Sequence, residues 1–251
     1  MSKPAFGTTT VKRTFGNRMF GPGRFFIHPP FSSDLSKARD TFIRFKTLVR
    51  LSHLKGTAIR SAVADNLAVR LAADLKPALI PKFNPEVFIE ALIRAREINE
   101  AVVQSTELID ILGKATPKDL EKLATSQAEI IRLFVAGSKN APRETLLNMT
   151  FDKSAAGLAA YKNLEQGLTR GELTRISLSG NPPVMKQVIL HHRTPADLAA
   201  KIILELIEKS GLAEKGAMEI SKFALSLLDS DKQKDIMEIL ANKKPEWFSA
   251  D

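Results

Sequence analysis

Cysteine is absent from the 251 residues of this chain, and this absence excludes several classes of protein. Without thiols there is no disulfide framework, no thiolate catalysis and no zinc site that depends on sulfur ligands. The absence agrees with a reducing compartment. We therefore expect an intracellular protein, either in the cytoplasm or incorporated in a particle assembled there.

Long apolar runs are also absent. No stretch approaches the roughly 20 consecutive apolar residues of a membrane-spanning helix, and the first 30 residues lack the apolar segment of a secretory signal. That region contains arginine and no acidic residue, as organelle transit peptides do. However, Gly7, Gly16 and the Gly21-Pro22-Gly23 turn would break the amphipathic helix that such a peptide requires. We expect neither a membrane span nor a targeting peptide.

Negative charge is scarce in the first third of the chain. No glutamate precedes Glu86, and residues 1–82 carry 15 Lys or Arg against 4 Asp, a net charge of +11. Residues 83–251 carry 22 Lys or Arg against 24 acidic residues, a net charge of −2. The overall charge of +9 therefore arises from one third of the chain. Such asymmetry favours a polyanionic partner or a basic tail.

Residues 1–33 show neither a helical nor an alternating pattern of apolar residues. Gly-Pro-Gly at 21–23 and Pro29-Pro30 oppose regular structure. Six phenylalanines are spread along this segment: Phe6, Phe15, Phe20, Phe25, Phe26 and Phe31. Because so much apolar surface is unfavourable in water, we expect an extended, irregular N-terminal arm that packs on its own body or on a neighbouring subunit.

Residues 34–251 have the pattern of an all-α, bundle-like body of about eight or nine helices. Capping residues, apolar spacings of three or four and terminal glycine or proline identify the helices. They are expected at about 33–56, 59–76, 85–112, 116–137, 142–149, 154–166, 194–209, 217–228 and 230–242. In the first of these, Leu35, Ala38, Phe42, Phe45 and Val49 form one apolar stripe. Residues 184–190 are the one candidate for a short strand, although a single strand has no partner.

Two stretches are candidate sub-boundaries within this body. One is the proline-containing connector at 77–85, where the charge balance changes, and the other is the Gly- and Pro-rich stretch at 167–183. Neither has the composition of a flexible linker, so we favour one continuous body. The segments 116–120 and 194–198 both read Thr-Pro-x-Asp-Leu. A duplicated unit is one explanation of this similarity, but we favour a shared helix-start pattern, because the flanking residues do not continue the match.

No motif predicts a catalytic, cofactor or metal site. His191 and His192 are adjacent, and adjacent residues point to different faces of a helix or strand, so the pair is poorly placed to chelate one metal ion. The Gly-Pro-Gly-Arg sequence at 21–24 lacks the strand, the helix and the Lys-Ser or Lys-Thr pair of a phosphate-binding loop. Glu86 and Glu90 have the spacing of an ordinary solvated helix face. We therefore expect a non-enzymatic protein without a cofactor.

Positive residues are concentrated in the arm and in the first predicted helix, where Asp40 is the one acidic residue between Lys37 and Lys55. Arg39, Lys46 and Arg50 have spacings that would place them along one helix face. Proteins that bind nucleic acid combine cationic grooves with exposed aromatic residues, and this pattern favours such a function. The simpler interpretation is that these residues form a solvated basic helix face. The candidate polyanion-binding residues are Lys12, Arg13, Arg18, Arg24, Lys37, Arg39, Arg44, Lys46, Arg50 and Lys55.

These features predict a structural subunit of a large assembly, such as a virus particle or another multi-subunit machine. Its partners would be protein subunits of the same assembly, identical or different, joined through the phenylalanines of the arm. The alternative is a DNA- or RNA-binding protein, or a nucleoprotein, that uses the arm and the first helix. A helical enzyme without a recognisable motif is the third hypothesis.

Overall fold

Among the residues that the structure describes, helix is the majority state, at 73%, and no strand occurs. The structure is a computed structural model that describes residues 30–210, 225–226, 228 and 230–245, with side chains from Asp34 onward except at 209–210. The all-α prediction is confirmed for this part, although helices are more numerous than expected. None of the described helices combines the length and apolar character needed to cross a membrane. Residues 1–29 and most of the helix expected at 217–228 lie outside the described residues.

The first half of the described chain is organised around one long helix. Its helices are α1 (Pro30–Arg39), α2 (Phe45–Ser52), α3 (Thr57–Ala73), α4 (Pro85–Arg94), α5 (Glu100–Val103) and α6 (Thr106–Gly113). A 3-10 helix at Pro77–Lys82 lies between α3 and α4. Helix α3 packs against α1, α2 and α4, so it forms the centre of this half.

The second half is a succession of short helices. They are α7 (Pro117–Leu123), α8 (Glu129–Gly137), α9 (Arg143–Met149), α10 (Ala155–Leu164), α11 (Arg170–Ser177), α12 (Pro182–Leu190), α13 (Ala196–Ser210) and α14 (Ser230–Lys243). A 3-10 turn at Glu165–Gly167 follows α10.

Local capping chemistry places several of the helix starts. The side chain of Asn84 accepts a hydrogen bond from the Glu86 N–H at 3.0 Å, and Pro85 occupies the first helical position. Thr116 forms a capping box with Asp119 at the start of α7. These two starts, and those near Arg143, Ala155, Ala196 and Ser230, agree with the helices predicted from the sequence.

The first predicted helix is wrong in its middle, because the chain leaves the helix between α1 and α2. The side chain of Asp40 accepts a hydrogen bond from the Phe42 N–H at 2.9 Å. Backbone carbonyls from Ala38 to Ile43 accept bonds from side chains of α3. These hydrogen bonds take the place of the regular helical hydrogen bonds at 40–44. The start is also earlier than predicted, because Pro30 is a suitable first residue of a helix.

Two further predicted helices are divided for a related reason. The helix expected at 85–112 ends at Arg94, and the N–H of Asn99 then donates to the Leu71 carbonyl at 2.8 Å. The helix expected at 116–137 is interrupted where the Ser126 hydroxyl donates to the Leu92 carbonyl at 2.6 Å. In both places the chain forms hydrogen bonds with an earlier helix instead of continuing its own.

The stretch at 167–190 also differs from its prediction. A capping box between Thr169 and Glu172 starts α11 inside the region expected to be irregular. The candidate strand at 184–190 is helical instead, as part of α12. Proline at 182 and 183 suits the first turn of a helix, and the buried residues Val184, Met185, Val188 and Ile189 follow helical spacing.

Helix starts recur at a regular interval between residues 117 and 210, a region we call the helix-pair array. First helices of successive pairs begin at residues 117, 143, 170 and 196, and second helices at 129, 155 and 182, so each recurs every 26 or 27 residues. Each pair packs on the next through contacts of α8 with α10 and of α10 with α12. The two Thr-Pro-x-Asp-Leu segments therefore lie at equivalent starts in this array.

Two ion pairs join the first helices of neighbouring pairs in opposite directions. Arg143 on α9 donates to both carboxylate oxygens of Glu172 on α11 at 2.8 Å. Arg175 on α11 donates to Glu144 on α9 at 2.7 Å. Hydrogen bonding from Arg143, opposed by partial burial, lowers the pKa of Glu172 to about 2.

One hydrophobic cluster extends from Ala38 to Leu240. Helix α10 lies so close to its neighbours that Gly157 has no room for a side chain. A Cβ at this position would overlap the Asp152 carbonyl oxygen and lie 2.7 Å from the Asn181 amide nitrogen. Glycine is thus required here by the packing of α10 against the turns beside it.

Candidate interaction surface around Phe42

Six of the predicted polyanion-binding residues have described side chains, and all six are exposed: Lys37, Arg39, Arg44, Lys46, Arg50 and Lys55. We call these six residues the basic surface. Arg50 forms an ion pair with Asp34 at 3.3 Å. Within the described part of the chain, the other five have no acidic side chain at ion-pair distance. The described part of the protein therefore leaves their positive charge without a neutralising partner.

The predicted alignment of Arg39, Lys46 and Arg50 on one helix face is wrong, because the helix is interrupted at 40–44. Arg39 ends α1, whereas Lys46 and Arg50 belong to α2. The remaining candidates, Lys12, Arg13, Arg18 and Arg24, lie outside the described residues, as do the arm phenylalanines from Phe6 to Phe26. Phe31 belongs to α1, but its side chain is not among those described.

Two buried side chains of α3 hold the connection between α1 and α2 in place. Asn66 donates to the carbonyls of Ala38 at 3.2 Å and Asp40 at 2.7 Å. Nη2 of Arg70 donates to the carbonyls of Thr41 at 2.6 Å and Ile43 at 2.7 Å. We call this set of hydrogen bonds the α3 clamp.

The clamp is itself connected and largely removed from solvent. Nε of Arg70 donates to the Asn66 side-chain oxygen at 2.8 Å, and Arg70 is 8% exposed. Its guanidinium lies 4.6 Å from the centre of the Phe45 ring, in the range of a cation–π contact. Arg70 thus contributes to the positive charge of the first third but is not available to an external anion.

Phe42 lies between the two carbonyls that Arg70 binds, and its side chain is 93% exposed. The prediction that Phe42 belongs to the apolar stripe of the first helix is wrong, because residue 42 lies in the interruption. Phe83 and Phe88 are buried, whereas the side chain of Phe42 is exposed. Phe42 is therefore an exposed aromatic residue, between Arg39 and Arg44 in sequence, on a backbone that α3 holds by hydrogen bonds.

An open groove runs along α3 beside this surface. Near Arg39 and Thr41 it has a volume of about 360 Å³ and is lined by small residues of α3. Asp65 and Val69 also line a second depression of about 570 Å³, which extends to Arg94 and Glu97. Asp65 is paired with Arg94 at 2.8 Å. Small residues of α3 therefore line the groove, and the negative charge of Asp65 beside them is partly neutralised by Arg94.

The histidine pair lies at the other end of the described chain and has a structural environment. The rings of His191 and His192 stack with centroids 4.5 Å apart, because residue 191 ends α12 in an extended conformation. Nδ1 of His191 accepts from the Arg193 N–H at 3.1 Å, and Nε2 lies 3.0 Å from the Glu165 carbonyl. Both ring nitrogens of His191 are thus used within the protein. In the described residues, no three His, Asp or Glu side chains are grouped as metal ligands.

The cations of this surface are evident from the sequence, whereas the roles of Asn66 and Arg70 and the exposure of Phe42 were not predicted from it. The available signal was a polar residue and an arginine four positions apart in an otherwise apolar helix. No protein-family model matches the chain, and neither the curated proteins nor the solved structures contain a significant match.

Proposed function

We propose that this protein is a non-enzymatic subunit of a large assembly, such as a virus particle or another multi-subunit machine, and that residues 1–33 join it to neighbouring subunits. The observation that carries the proposal is the composition of this segment, with six Phe, five Lys or Arg and no acidic residue. Phe31 lies in α1, and the five phenylalanines before it are spaced along residues 1–29, a sequence pattern suited to occupying pockets on another protein. Ordering the backbone of such a segment costs conformational entropy, and binding to a partner is needed to offset that cost.

The helix-pair array gives this proposal a second support. In such arrays each unit buries its apolar face on the next, and the stack presents an extended surface to partners. The reciprocal ion pairs between α9 and α11 strengthen this contact between units. The body therefore has the construction of a binding scaffold, an argument that rests on architecture alone.

Deleting residues 1–29 tests the role of the arm, because α1 begins at Pro30. We expect the shortened chain to keep its helical circular dichroism spectrum. In gradient sedimentation of extracts from its source cells, it should move from the fast-sedimenting assembly to the slow fractions. A shortened chain that still sediments with the assembly contradicts the proposal, and one that unfolds shows that the arm belongs to the core.

Point substitutions make this test sharper. Replacing Phe20, Phe25 and Phe26 together by Ala should reproduce most of the deletion's effect, because these residues flank the Gly-Pro-Gly turn. The matched control replaces exposed apolar residues of the body, Ile109 and Leu178, and should leave sedimentation unchanged. Equal losses in both variants would mean that assembly does not depend specifically on the arm.

A second candidate function is binding to the backbone of DNA or RNA, and the basic surface favours it. Five exposed cations without an ion-pair partner among the described residues retain their full charge for an external anion. Binding to phosphates releases counterions, so log affinity falls with log salt by about 0.9 for each phosphate neutralised on duplex DNA. This function is compatible with assembly, because an arm can join subunits beside packaged nucleic acid.

The salt dependence of oligonucleotide binding tests this second function. Replacing Arg39, Arg44 and Lys46 by Ala should reduce the slope by roughly 2–3. The control removes the same charge from exposed positions of the helix-pair array, at Lys118, Lys139 and Lys153, and should leave the slope nearly unchanged. Undetectable binding at low salt would reject the second function, and equal slopes in the two variants would place the site elsewhere.

A further inference from the structure

We infer that Phe42 is a stacking platform for a base of single-stranded nucleic acid, with Arg39, Arg44 and Lys46 binding the phosphates beside it. This inference rests on the second proposed function and adds to it a specific residue and a class of ligand. It depends on three features of the described residues: the exposure of the ring, the rigidity of its backbone and the unpaired cations near it.

The exposure of Phe42 is unusual among the described aromatic residues. Its side chain is 93% exposed, compared with 37% for Phe151 and 2% for Phe83. Single exposed apolar residues are common on folded proteins, so exposure alone identifies no function. The second feature, the support beneath the ring, separates Phe42 from an ordinary surface residue.

Hydrogen bonds hold the backbone on both sides of Phe42. Nη2 of Arg70 binds the carbonyls of Thr41 and Ile43, the two residues adjacent to Phe42 in sequence. The N–H of Phe42 itself donates to Asp40. A ligand that stacks on this ring does not have to order a loop, and such preorganisation favours affinity.

The cations close to the ring complete the site. Three cations lie within four residues of Phe42 in sequence: Arg44, Arg39 and Lys46. Their Cα atoms are therefore at most roughly 14 Å from the Cα atom of Phe42. All three are exposed, and no ion-pair partner for them occurs among the described residues. Phosphates that flank a stacked base can therefore reach positive charge on either side of it.

The chemistry favours a single strand over a duplex. Ring stacking requires the face of a base, which is free in a single strand and covered by neighbouring bases in a duplex. It also favours nucleic acid over a protein partner. Three exposed cations without an ion-pair partner in the described sequence lie close to Phe42, and they match the repeated negative charge of a phosphate backbone.

Fluorescence anisotropy with the full chain tests the inference. The affinities for labelled 20-nucleotide single strands of DNA and of RNA are compared with the affinity for the duplex of the same DNA sequence at low salt. We expect Phe42→Ala to weaken single-strand binding by about 5- to 150-fold, the range observed for loss of base–aromatic stacking, and to leave duplex binding nearly unchanged. The control Leu178→Ala removes another exposed apolar side chain and should change neither.

Phe42→Trp supplies a direct readout. This variant should retain single-strand binding, and oligonucleotide should quench the added tryptophan emission, with the parent protein and its single Trp247 as baseline. Unchanged single-strand affinity in Phe42→Ala overturns the stacking inference. In that event, continued dependence on Arg39, Arg44 and Lys46 would preserve the second proposed function. A Phe42→Ala variant that binds nucleic acid normally but changes oligomeric state in mass photometry also overturns the inference, and identifies Phe42 as a protein contact.

Discussion

The α3 clamp makes Arg70 the residue whose replacement we expect to destabilise this region most. The substitution Arg70→Met keeps a long, flexible side chain and removes every hydrogen-bond donor. It leaves the carbonyls of Thr41 and Ile43 and the side-chain oxygen of Asn66 without their donor. It also removes the cation above the Phe45 ring.

The hydrogen bonds of Arg70 determine the magnitude of this loss. Each hydrogen bond from a charged donor contributes about 1.5–3 kcal/mol, and Arg70 makes such bonds at 2.8, 2.6 and 2.7 Å. Two effects lower the total: water can replace part of the bonding at the half-buried carbonyls, and methionine avoids the desolvation of a buried guanidinium. The ion pair with Asp74, at 3.8 Å and exposed on the Asp74 side, adds little. We expect a loss of about 3 kcal/mol in the free energy of unfolding.

Urea denaturation followed by circular dichroism measures this change. Arg39→Met is the matched control, because Arg39 is exposed and has no ion-pair partner among the described residues. Its effect should stay within about 0.5 kcal/mol. Arg70→Lys, which keeps the charge but not the planar set of donors, should fall between these two variants.

The reasoning is refuted if Arg70→Met and Arg39→Met destabilise the protein equally. A double-mutant cycle adds a second check, because Asn66 and Arg70 bond each other and share the same connection. Asn66→Ala combined with Arg70→Met should be less destabilising than the two single changes together. Strict additivity would show that the two residues act independently.

Two further predictions concern the helix-pair array. The lowered pKa of Glu172 means that its ion pair with Arg143 contributes fully above about pH 5, and that this contribution is lost as pH falls through the unfolded-state value toward 2. Because Arg143 is 47% exposed, screening reduces the contribution to about 0.2–1 kcal/mol. Urea midpoints at pH 7 and pH 3 should therefore differ less in Glu172→Gln than in the parent, and an identical difference would contradict the assignment. Gly157→Ala should destabilise by about 1–3 kcal/mol in thermal unfolding, because its Cβ would overlap the Asp152 carbonyl oxygen. Gly171→Ala, with no neighbouring atom within 4 Å of the new Cβ, is the control and should be neutral or slightly stabilising.

Local chemistry was sufficient to predict the fold class and many helix starts. Asn84-Pro85 and Thr116-Pro117 carry their own signals, since a capping side chain and a first-position proline act within three residues. The concentration of positive charge in residues 1–82 likewise depends on composition alone. The exposed cations of the basic surface followed from this reasoning without knowledge of the fold.

The tertiary structure decided where helices are interrupted and which polar groups are buried. The breaks before Asn99 and at Ser126 are stabilised by hydrogen bonds to carbonyls of Leu71 and Leu92, which are far away in sequence. Helical periodicity continues through these positions, so no local pattern could predict the breaks. The helix over 184–190, in contrast, carries local signals, since Pro182 and Pro183 suit a first helical turn and its buried residues follow helical spacing.

The candidate site shows the division most clearly. The sequence by itself determined that cations cluster between Lys37 and Lys55 and that an aromatic residue lies among them. Only the tertiary structure decided that Arg70 is buried in the clamp and that Phe42 is exposed. The physical reason is that the donors of Arg70 bind backbone carbonyls 27 and 29 residues away, and carbonyl positions are set by the fold, whatever side chains they carry.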